Sequence, residues 1–477
     1  MRRWMLVVVI AASMVRPAWA GLAEHPEVAA ALRLFELWAE DQRRYLGQPG
    51  LSMALVDDQE LVWARGFGVA DLASGRPARP DTVYRLGSIS KVFTATAVVE
   101  LGEAGKLSLD DPVTRYLPEL RTKEGQPPAS RITLRHLLTH TSGLPREAAF
   151  PYWTDRKFPS TAAMIAAVLG QENLTEAGTR YRYSNLGIAL AGEAASRAAG
   201  KPYPELVAEL ILRPLGLLST FVEAPTLPAE RLATGYLIRR PDGSSPPAPF
   251  TNSAGLTPAA NLSSSVEDLA RFVSAHLTAA NLREMHRVQW LAPDWGSGRG
   301  LGFALSRQGS RTLVGHAGWV AGHRSQLTFD PVAKIGFIIL TNSDEGGPGS
   351  YVRQAVELLF PALERATAPP STPSPPLVAG ERYTGSYRDP WGATTEVLLL
   401  NGRLALWDHD QPPTSDVLGS VTYLKPVGEH RFVMEGSDDP VLFELDREGR
   451  VERIKTGENY IFPVACREIS AELTCVR

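Results

Sequence analysis

Hydrophobic residues recur along the chain at the spacings of helices and strands. Near the N-terminus, apolar side chains return about every 3.6 residues, which predicts an amphipathic helix. Its apolar positions are Val28, Leu32, Phe35 and Trp38. The apolar runs 51–56 and 61–69 follow, separated by a short polar segment, and predict a β-hairpin.

A second pair of apolar runs lies far along the chain. Residues 325–329 and 334–341 turn at Asp330-Pro331, another predicted hairpin. The segment between, about residues 88–290, has helical patterns broken by Gly and Pro, and Ser264 with Glu267 has the spacing of a capping box. We therefore expect one sheet built from both ends of a large domain, with helices between.

The C-terminal part has a different character. Residues 364–380 are rich in proline with little to bury, which predicts a semi-extended linker. Beyond it, apolar runs flank Asn401-Gly402, a strong hairpin signal, and the pattern repeats around residues 446–449. Residues 381–477 are thus predicted to form a small all-β barrel or sandwich domain.

Charge argues against polyanionic partners. The 477 residues carry 49 basic and 52 acidic side chains, a formal net charge of −3. This balance gives no field that would gather nucleic acid or an anionic membrane surface. The expected partner is a small-molecule substrate, and the sequence predicts no nucleic-acid partner and no stable membrane span.

The N-terminus predicts export. Residues 1–20 have a basic start, an apolar run and the small-x-small site Ala18-Trp19-Ala20, as in a cleaved signal peptide. A membrane anchor is the alternative, although the run is shorter than the roughly 20 residues that span a bilayer. We expect a periplasmic or secreted protein, in which Cys466 and Cys475 either form a disulfide or remain two thiols.

The first chemical signal is the pair Ser88 and Lys91 in "YRLGSISKVFTATAVVEL". Residues three apart share one face of a helix, and backbone N–H groups at a helix start can stabilise an oxyanion. An apolar helix would desolvate Lys91, so that its amine could accept the serine proton. The plainer alternative is a serine cap beside a solvated lysine.

The surrounding segments decide between these alternatives. "YRLGSISKVFTA", "LGEAGKLSLDDPVTRYLPEL" and "ITLRHLLTHTSGLP" resemble the serine hydrolases of the class C β-lactamase and penicillin-binding-protein superfamily, with its esterases and D-amino-acid peptidases. The resemblance covers about residues 24–360. It implies an α+β, β-lactamase-like fold, an antiparallel sheet flanked by helices with a helical subdomain, over residues 21–363.

The resemblance supplies two further motifs after S-x-x-K. Tyr183-Ser184-Asn185 matches its Y-x-N element, and we expect nearby cations to lower the pKa of Tyr183 and make it a base. Tyr181 is the alternative tyrosine. Asn185 is expected to hold Lys91 and a substrate carbonyl, or to cap a helix.

The third motif is His316-Ala317-Gly318. His316 stands where β-lactamases have lysine, and an imidazole there would make activity pH-sensitive near its reference pKa of about 6.5. Gly318 permits close approach of the strand to substrate, and the N–H of Trp319 is expected to join that of Ser88 in the oxyanion hole. A simple turn between strands is the alternative for this segment.

Three other histidines are weaker candidates. His136 and His140 have a spacing that can bind zinc, but no third ligand is evident, so we expect them to hold the following loop by hydrogen bonds. His323 lines the cleft or packs in the sheet. No metal or cofactor is predicted.

The sequence therefore predicts an exported serine hydrolase that works through an acyl-enzyme. Ester or small D-amino-acid peptide or amide carbonyls are the expected substrates, with β-lactam hydrolysis a minor activity. The alternatives are a catalytically silent cell-wall-binding relative and a ligand carrier that uses the C-terminal β domain.

Overall fold

The structure is a computed structural model that describes residues 21–172, 174–223, 229–368, 380–409, 418–437 and 439–464. The predicted signal peptide, Cys466, Cys475 and most of the predicted linker lie outside these residues. The described residues form two compact units, one within residues 39–355 and a second made of those up to 38 together with those from 356 onward. No helix in the described ranges is long and apolar enough to cross a membrane.

The helices alternate with long connections. The α-helices are α1 Pro26–Tyr45, α2 Ser90–Glu103, α3 Leu134–Leu138, α4 Tyr152–Asp155, α5 Thr161–Ala167, α6 Asn185–Ala199, α7 Tyr203–Val207, α8 Thr257–Ala260, α9 Val266–Thr278, α10 Pro348–Gln354 and α11 Phe360–Thr367. Single 3₁₀ turns or short 3₁₀ helices are Leu22–Glu24, Gly87–Ile89, Val113–Arg115, Ala129–Arg131, Val168–Gly170, Ala229–Arg231, Ala254–Leu256, Ala280–His286, Glu381–Tyr383 and Leu418–Ser420. Two π-helical turns are Ala208–Leu212 and Ala355–Leu359.

The strands fall into an early, a middle and a late group. They are β1 Gly50–Asp57, β2 Glu60–Asp71, β3 Arg76–Pro77, β4 Tyr84–Arg85, β5 Ser263–Ser264, β6 Trp290–Leu291, β7 Ser297–Arg299, β8 Ala304–Gln308, β9 Arg311–Val320, β10 His323–Asp330, β11 Ile335–Thr341, β12 Gly385–Arg388, β13 Thr394–Leu400, β14 Arg403–Asp408, β15 Thr422–Gly428, β16 Arg431–Met434, β17 Pro440–Leu445, β18 Val451–Thr456 and β19 Asn459–Pro463.

The larger unit is built on one antiparallel sheet. Its order is β3-β2-β1-β11-β10-β9-β8-β7-β6, so the early hairpin pairs with the late one along β1 and β11. Both predicted hairpins are confirmed by the registers of β1 with β2 and of β10 with β11. Strands β1 and β11 are buried along their whole length, which is why the apolar runs there are continuous.

Helix α2 is the central helix of this unit. Eleven of its residues are buried, from Ser90 to Leu101, because it packs against both α6 and α8. The rings of Phe93 and Phe272 stack with centroids 4.2 Å apart and join α2 to α9, which covers β1 and β11. The N-cap of α9 corrects the sequence prediction, because Ser265 and not Ser264 accepts the hydrogen bond from the Asp268 N–H.

The second unit contains the predicted all-β domain. Strands β12 to β19 close into an antiparallel barrel in sequence order. The Asn401-Gly402 turn joins β13 to β14 with both residues at positive φ, 55° and 71°, as the favoured two-residue hairpin turn requires. Side chains such as Val397, Phe443 and Ile454 form the buried interior. The predicted domain bounds stay predictions, although α11 extends into the first residues of the proposed linker.

Candidate active site

Ser88 is held at the junction between a strand and the central helix. β4 leads into the 3₁₀ turn Gly87–Ile89, which continues directly into α2. The Leu86 N–H donates to the Leu262 carbonyl at 2.8 Å and anchors the approach to the turn. Gly87 takes φ +53°, and a Cβ there would lie 2.5 Å from the Trp319 carbonyl oxygen. The chain therefore needs glycine before Ser88, because the backbone of β9 lies directly against it.

Lys91 is the buried amine that faces Ser88. Its Nζ lies 2.9 Å from Ser88 Oγ and donates to the Ala259 carbonyl at 2.7 Å. The side chain is fully buried, and this desolvation lowers the pKa of Lys91 to about 7, with Glu147 partly opposing the shift. The predicted desolvation of Lys91 is thus present, and the amine is available in its neutral form near neutral pH.

Tyr183 contacts Ser88 from the other side. Its hydroxyl lies 3.0 Å from Ser88 Oγ, and Lys91 Nζ lies 5.1 Å from the centre of its ring. The expected lowering of its pKa is wrong, since burial outweighs the bond to Ser88 and the charge of Arg146 and raises the pKa of Tyr183 to about 12. Tyr183 is therefore a neutral hydroxyl that donates. Tyr181 also lines the cleft, with its ring under the guanidinium of Arg299 at 4.4 Å.

His140 positions Tyr183. The Ser184 N–H donates to His140 Nδ1 at 3.1 Å, and the Arg182 N–H donates to the His140 carbonyl at 2.7 Å. The two rings of His140 and Tyr183 lie with centroids 4.4 Å apart. His140 thus holds the residue on each side of Tyr183, a role beyond the loop contact predicted for it. His136 stays in its own turn, where its Nδ1 accepts from the Thr133 N–H.

His316 lies in the cleft wall as a neutral imidazole. Its Nδ1–H donates to the Ala317 carbonyl at 2.6 Å, which leaves Nε2 without its proton. Burial, with the charge of Lys91, lowers the pKa of His316 to about 3. The expected titration near pH 6.5 is therefore wrong, because protonation would add a second cation to a desolvated site that already holds Lys91.

The β9–β10 hairpin carries Trp319, whose N–H is the predicted second oxyanion donor. Val320 and His323 close its two-residue turn, so they form a hydrogen-bonded pair, and the next pair, Trp319 with Arg324, is a non-hydrogen-bonded one. The Trp319 N–H therefore points away from β10, and β8 pairs with β9 only as far as Gly315. The Trp319 N–H therefore faces the turn that carries Ser88. The N–H of Ser88 itself belongs to the first turn at the start of the helix.

Two contacts fix the position of this hairpin. Asp344 accepts from the Trp319 indole N–H at 2.7 Å and from the Gly322 N–H at 3.1 Å. A Cβ at Gly318 would lie 1.9 Å from the Leu86 carbonyl oxygen. Gly318 thus allows β9 to approach the backbone that precedes Ser88, whereas the sequence predicted an approach to substrate.

Asn185 is placed differently from the prediction. Its amide N–H donates to Glu147 Oε1 at 2.5 Å, while Lys91 donates to the Ala259 carbonyl instead of to Asn185. The Asn185 Oδ1 is buried without a hydrogen-bond partner in the described part of the chain. The N-cap of α6 is Ser184, which accepts from the Gly187 N–H. Asn185 lies beside the site, held by a carboxylate that the sequence reasoning missed.

The cleft above Ser88 has a volume of about 480 Å³ and a positive lining. Three arginines line it, Arg146, Arg299 and Arg324, and no Asp or Glu is among the described residues that do so. Sequence reasoning missed all three because they are far apart in the chain. Arg146 lies in the loop between α3 and α4, Arg299 ends β7 and Arg324 is near the start of β10. The lining favours a substrate that carries negative charge.

Comparison with known proteins agrees with this geometry. The family described as Beta-lactamase matches residues 38–359. The chain belongs to the beta-lactamase family. The beta-lactamase of Pseudomonas fluorescens is 32% identical over 236 residues, 49% of this chain and 62% of its own length. Esterase EstB of Burkholderia gladioli is 35% identical over 201 residues, 38% of this chain and 49% of its own. The chain thus spans less than two thirds of these two relatives.

Solved structures of this beta-lactamase-like fold match a larger share of the chain. An octameric penicillin-binding protein homologue from Pyrococcus abyssi has a TM-score of 0.62 at 24% identity, covering 90% of this chain and 99% of its own. A beta-lactamase/D-alanine carboxypeptidase from Pseudomonas syringae has a TM-score of 0.60 at 23% identity, covering 71% and 100%. These likenesses confirm the predicted fold.

Proposed function

We propose that this protein is an exported serine hydrolase that forms an acyl-enzyme on Ser88. The observation that carries the proposal is that Ser88 Oγ lies within hydrogen-bond distance of both Lys91 Nζ and Tyr183 OH. A nucleophile beside a neutral amine and a hydroxyl donor is the arrangement that acyl transfer needs.

The protonation states suggest a division of labour. Neutral Lys91 takes the Ser88 proton as Oγ bonds to the substrate carbonyl carbon, and the oxyanion rests on the N–H groups of Ser88 and Trp319. As the carbonyl re-forms, the bond to the leaving group breaks, and that group takes a proton from the Tyr183 hydroxyl. The Lys91 ammonium then gives the proton it took from Ser88 to the Tyr183 oxygen. Water then attacks the acyl-enzyme and releases a carboxylic acid.

The substrate that fits best is an ester, or a small peptide or amide of a D-amino acid, that bears a carboxylate. Arg146, Arg299 and Arg324 supply the positive lining that would hold such a group. The sequence relatives include an esterase and a beta-lactamase, and a structural neighbour is a beta-lactamase/D-alanine carboxypeptidase, which agree with a carbonyl substrate. β-Lactam turnover remains a minor activity in this proposal.

A fluorophosphonate probe tests the nucleophile. Labelling of the wild type and of Ser310→Ala, an exposed serine on a turn, but not of Ser88→Ala, supports the acyl-enzyme. Absence of labelling in folded wild type would favour the silent relative. A panel of p-nitrophenyl esters, D-amino-acid anilides and nitrocefin, assayed with wild type and Ser88→Ala, then ranks the substrates.

A further inference from the structure

A second pocket lies apart from the catalytic cleft. It has a volume of about 240 Å³, and none of the residues that line it also lines the cleft above Ser88. Its polar side chains are Arg85, His323 and Thr234, and its apolar wall includes Leu232, Ala248 and Pro249. Arg85 precedes Ser88 by three residues, and His323 follows the turn of the hairpin that carries Trp319.

Arg85 is a buried cation with no counter-ion in the described part of the chain. The side chain is 3% exposed, and its guanidinium donates only to the Thr251 carbonyl at 2.6 Å and to Asn261 Oδ1 at 3.0 Å. The Nε is buried and has no hydrogen-bond partner among the described residues. Burial lowers the pKa of Arg85 to about 10, so the group still carries its charge at neutral pH. A desolvated charge of this kind is costly unless an anion accompanies it.

The described residues around Arg85 do not supply that anion. Asp71 contacts the pocket wall through Thr234, and its oxygens accept from Thr234 and Ser74. Phe250 covers one side of Arg85, with 4.3 Å between the guanidinium carbon and the ring centre. The face of an aromatic ring stabilises a buried cation much less than a carboxylate does. The charge on Arg85 therefore lacks a matched partner among the residues that the structure describes.

His323 adds a second polar group to the same pocket. It is 4% exposed, and its pKa is lowered to about 3 by burial and by the charge of Arg85, so it is neutral. A Cβ at Gly235, another wall residue, would lie 2.7 Å from His323 Nε2. The single N–H of this neutral imidazole donates to the Thr341 backbone, so His323 forms a polar part of the wall and Arg85 is the group left to hold an anion.

We propose that this pocket binds a small organic monocarboxylate, with its carboxylate on Arg85 and its apolar body against Leu232, Ala248 and Pro249. One uncompensated cation matches one negative charge, and a guanidinium binds a carboxylate through paired N–H groups. The mostly apolar wall and the small volume suit a short aliphatic or aromatic acid better than a phosphate dianion or a peptide. The proposal does not depend on hydrolase activity.

Isothermal titration calorimetry on the full chain tests the proposal. Acetate, propionate and benzoate are titrated at constant ionic strength, with inorganic phosphate as a separate arm. We expect one saturable carboxylate site per chain in the wild type. Arg85→Gln should weaken it at least tenfold, as should Leu232→Trp, which fills the pocket without removing a hydrogen bond. Leu218→Trp, at an 83% exposed leucine outside the pocket, is the matched control.

Arg299→Gln separates this pocket from the catalytic cleft. Carboxylate binding that survives Arg299→Gln and is lost in Leu232→Trp supports the proposal, even if Arg85→Gln fails to fold. Binding lost in Arg299→Gln but retained in Leu232→Trp would assign the anion to the catalytic cleft and overturn it. The proposal would also be overturned if the wild type showed no saturable carboxylate binding up to 50 mM, about the weakest affinity worth assigning to a site. Binding of phosphate alone would overturn it as well.

Discussion

Lys91 combines its proposed catalytic position with an electrostatic cost. Its ammonium form is buried, and its carbonyl and hydroxyl partners carry no full negative charge. The folded pKa of about 7 lies below the ordinary lysine value of 10.5. Below pH 7 Lys91 is protonated in both the folded and the unfolded chain, so the folded state carries the full cost of burying the charge. Between about pH 7 and pH 10.5 only the unfolded chain keeps the Lys91 proton, so the free energy of unfolding rises with pH over that range.

Replacing Lys91 with methionine should therefore separate stability from activity. Lys91→Met is expected to lower kcat/KM about 10³-fold, because the base is lost. It should raise the free energy of unfolding at pH 6 by about 1–4 kcal/mol, with the gain shrinking toward pH 10. Urea unfolding at both pH values and a pH–rate profile measure these effects, and Lys106→Met, at an exposed lysine, is the control. In the wild type, kcat/KM should rise with pH and reach a plateau above about pH 7. If Lys91→Met were destabilised equally at both pH values, the cost of burying the Lys91 charge would be contradicted.

Tyr183 should act through its hydroxyl proton. Tyr183→Phe removes the contact with Ser88 Oγ but keeps the ring against His140, so kcat should fall by about 10²–10⁴ with KM little changed. Tyr181→Phe, on the same cleft, is the matched control and should change kcat less than threefold. Because the pKa of Tyr183 is raised to about 12, activity should not climb further between pH 8 and pH 10. A continued rise over that range would instead indicate a phenolate base.

At the level of elements, the close approach of the β9–β10 hairpin to the Ser88 turn would set the proposed oxyanion hole. A Cβ at Gly318 would lie 1.9 Å from the Leu86 carbonyl oxygen and 2.3 Å from Ser325 Oγ, so Gly318→Ala must displace the hairpin. We expect kcat to fall at least 100-fold and the free energy of unfolding to fall by about 1–3 kcal/mol. Gly347→Ala, at a glycine with open space around it, is the control. Near-normal activity in Gly318→Ala would exclude Trp319 as a donor.

The elements were predictable where a local pattern carries the information. Hairpins at Asn401-Gly402 and Asp330-Pro331 follow from turn chemistry and apolar runs, and both are present. The positions of Ser88, Lys91 and Tyr183 followed from motif order and from family resemblance. Their protonation states did not, because burial from all sides sets the pKa of Tyr183 and His316, and no local window of sequence encodes it.

The cleft arginines show the same limit at longer range. Arg146 lies in the loop between α3 and α4, Arg299 ends β7 and Arg324 lies on β10, so only the assembled sheet and loops bring them to one cleft. Nothing in the spacing of these residues distinguishes them from the other arginines of the chain. The same holds for Arg85 and His323, which converge on the second pocket from segments more than two hundred residues apart.

For the whole molecule, the charge near Ser88 is opposite in sign to the formal net charge of −3. Three arginines line the cleft, and no acidic side chain does so among the described residues, so an anionic substrate gains attraction there despite the overall negative charge. The effect is local, since mobile ions screen charges beyond about 8 Å at physiological ionic strength. Selectivity for anionic substrates should thus arise inside the cleft, where solvent and salt screen least.

The positive potential of the cleft should be measurable as a difference in kcat/KM between an anionic and a neutral ester. We expect kcat/KM for p-nitrophenyl hemisuccinate to exceed that for neutral p-nitrophenyl butyrate, and the ratio to fall as salt rises. Arg299→Gln should reduce the ratio about tenfold, since a charge-assisted hydrogen bond contributes about 1.5–3 kcal/mol. Arg213→Gln, at an exposed arginine outside the cleft, should leave it unchanged. A ratio unaffected by both salt and Arg299→Gln would mean that the arginines do not hold the substrate, and that cleft shape alone selects it.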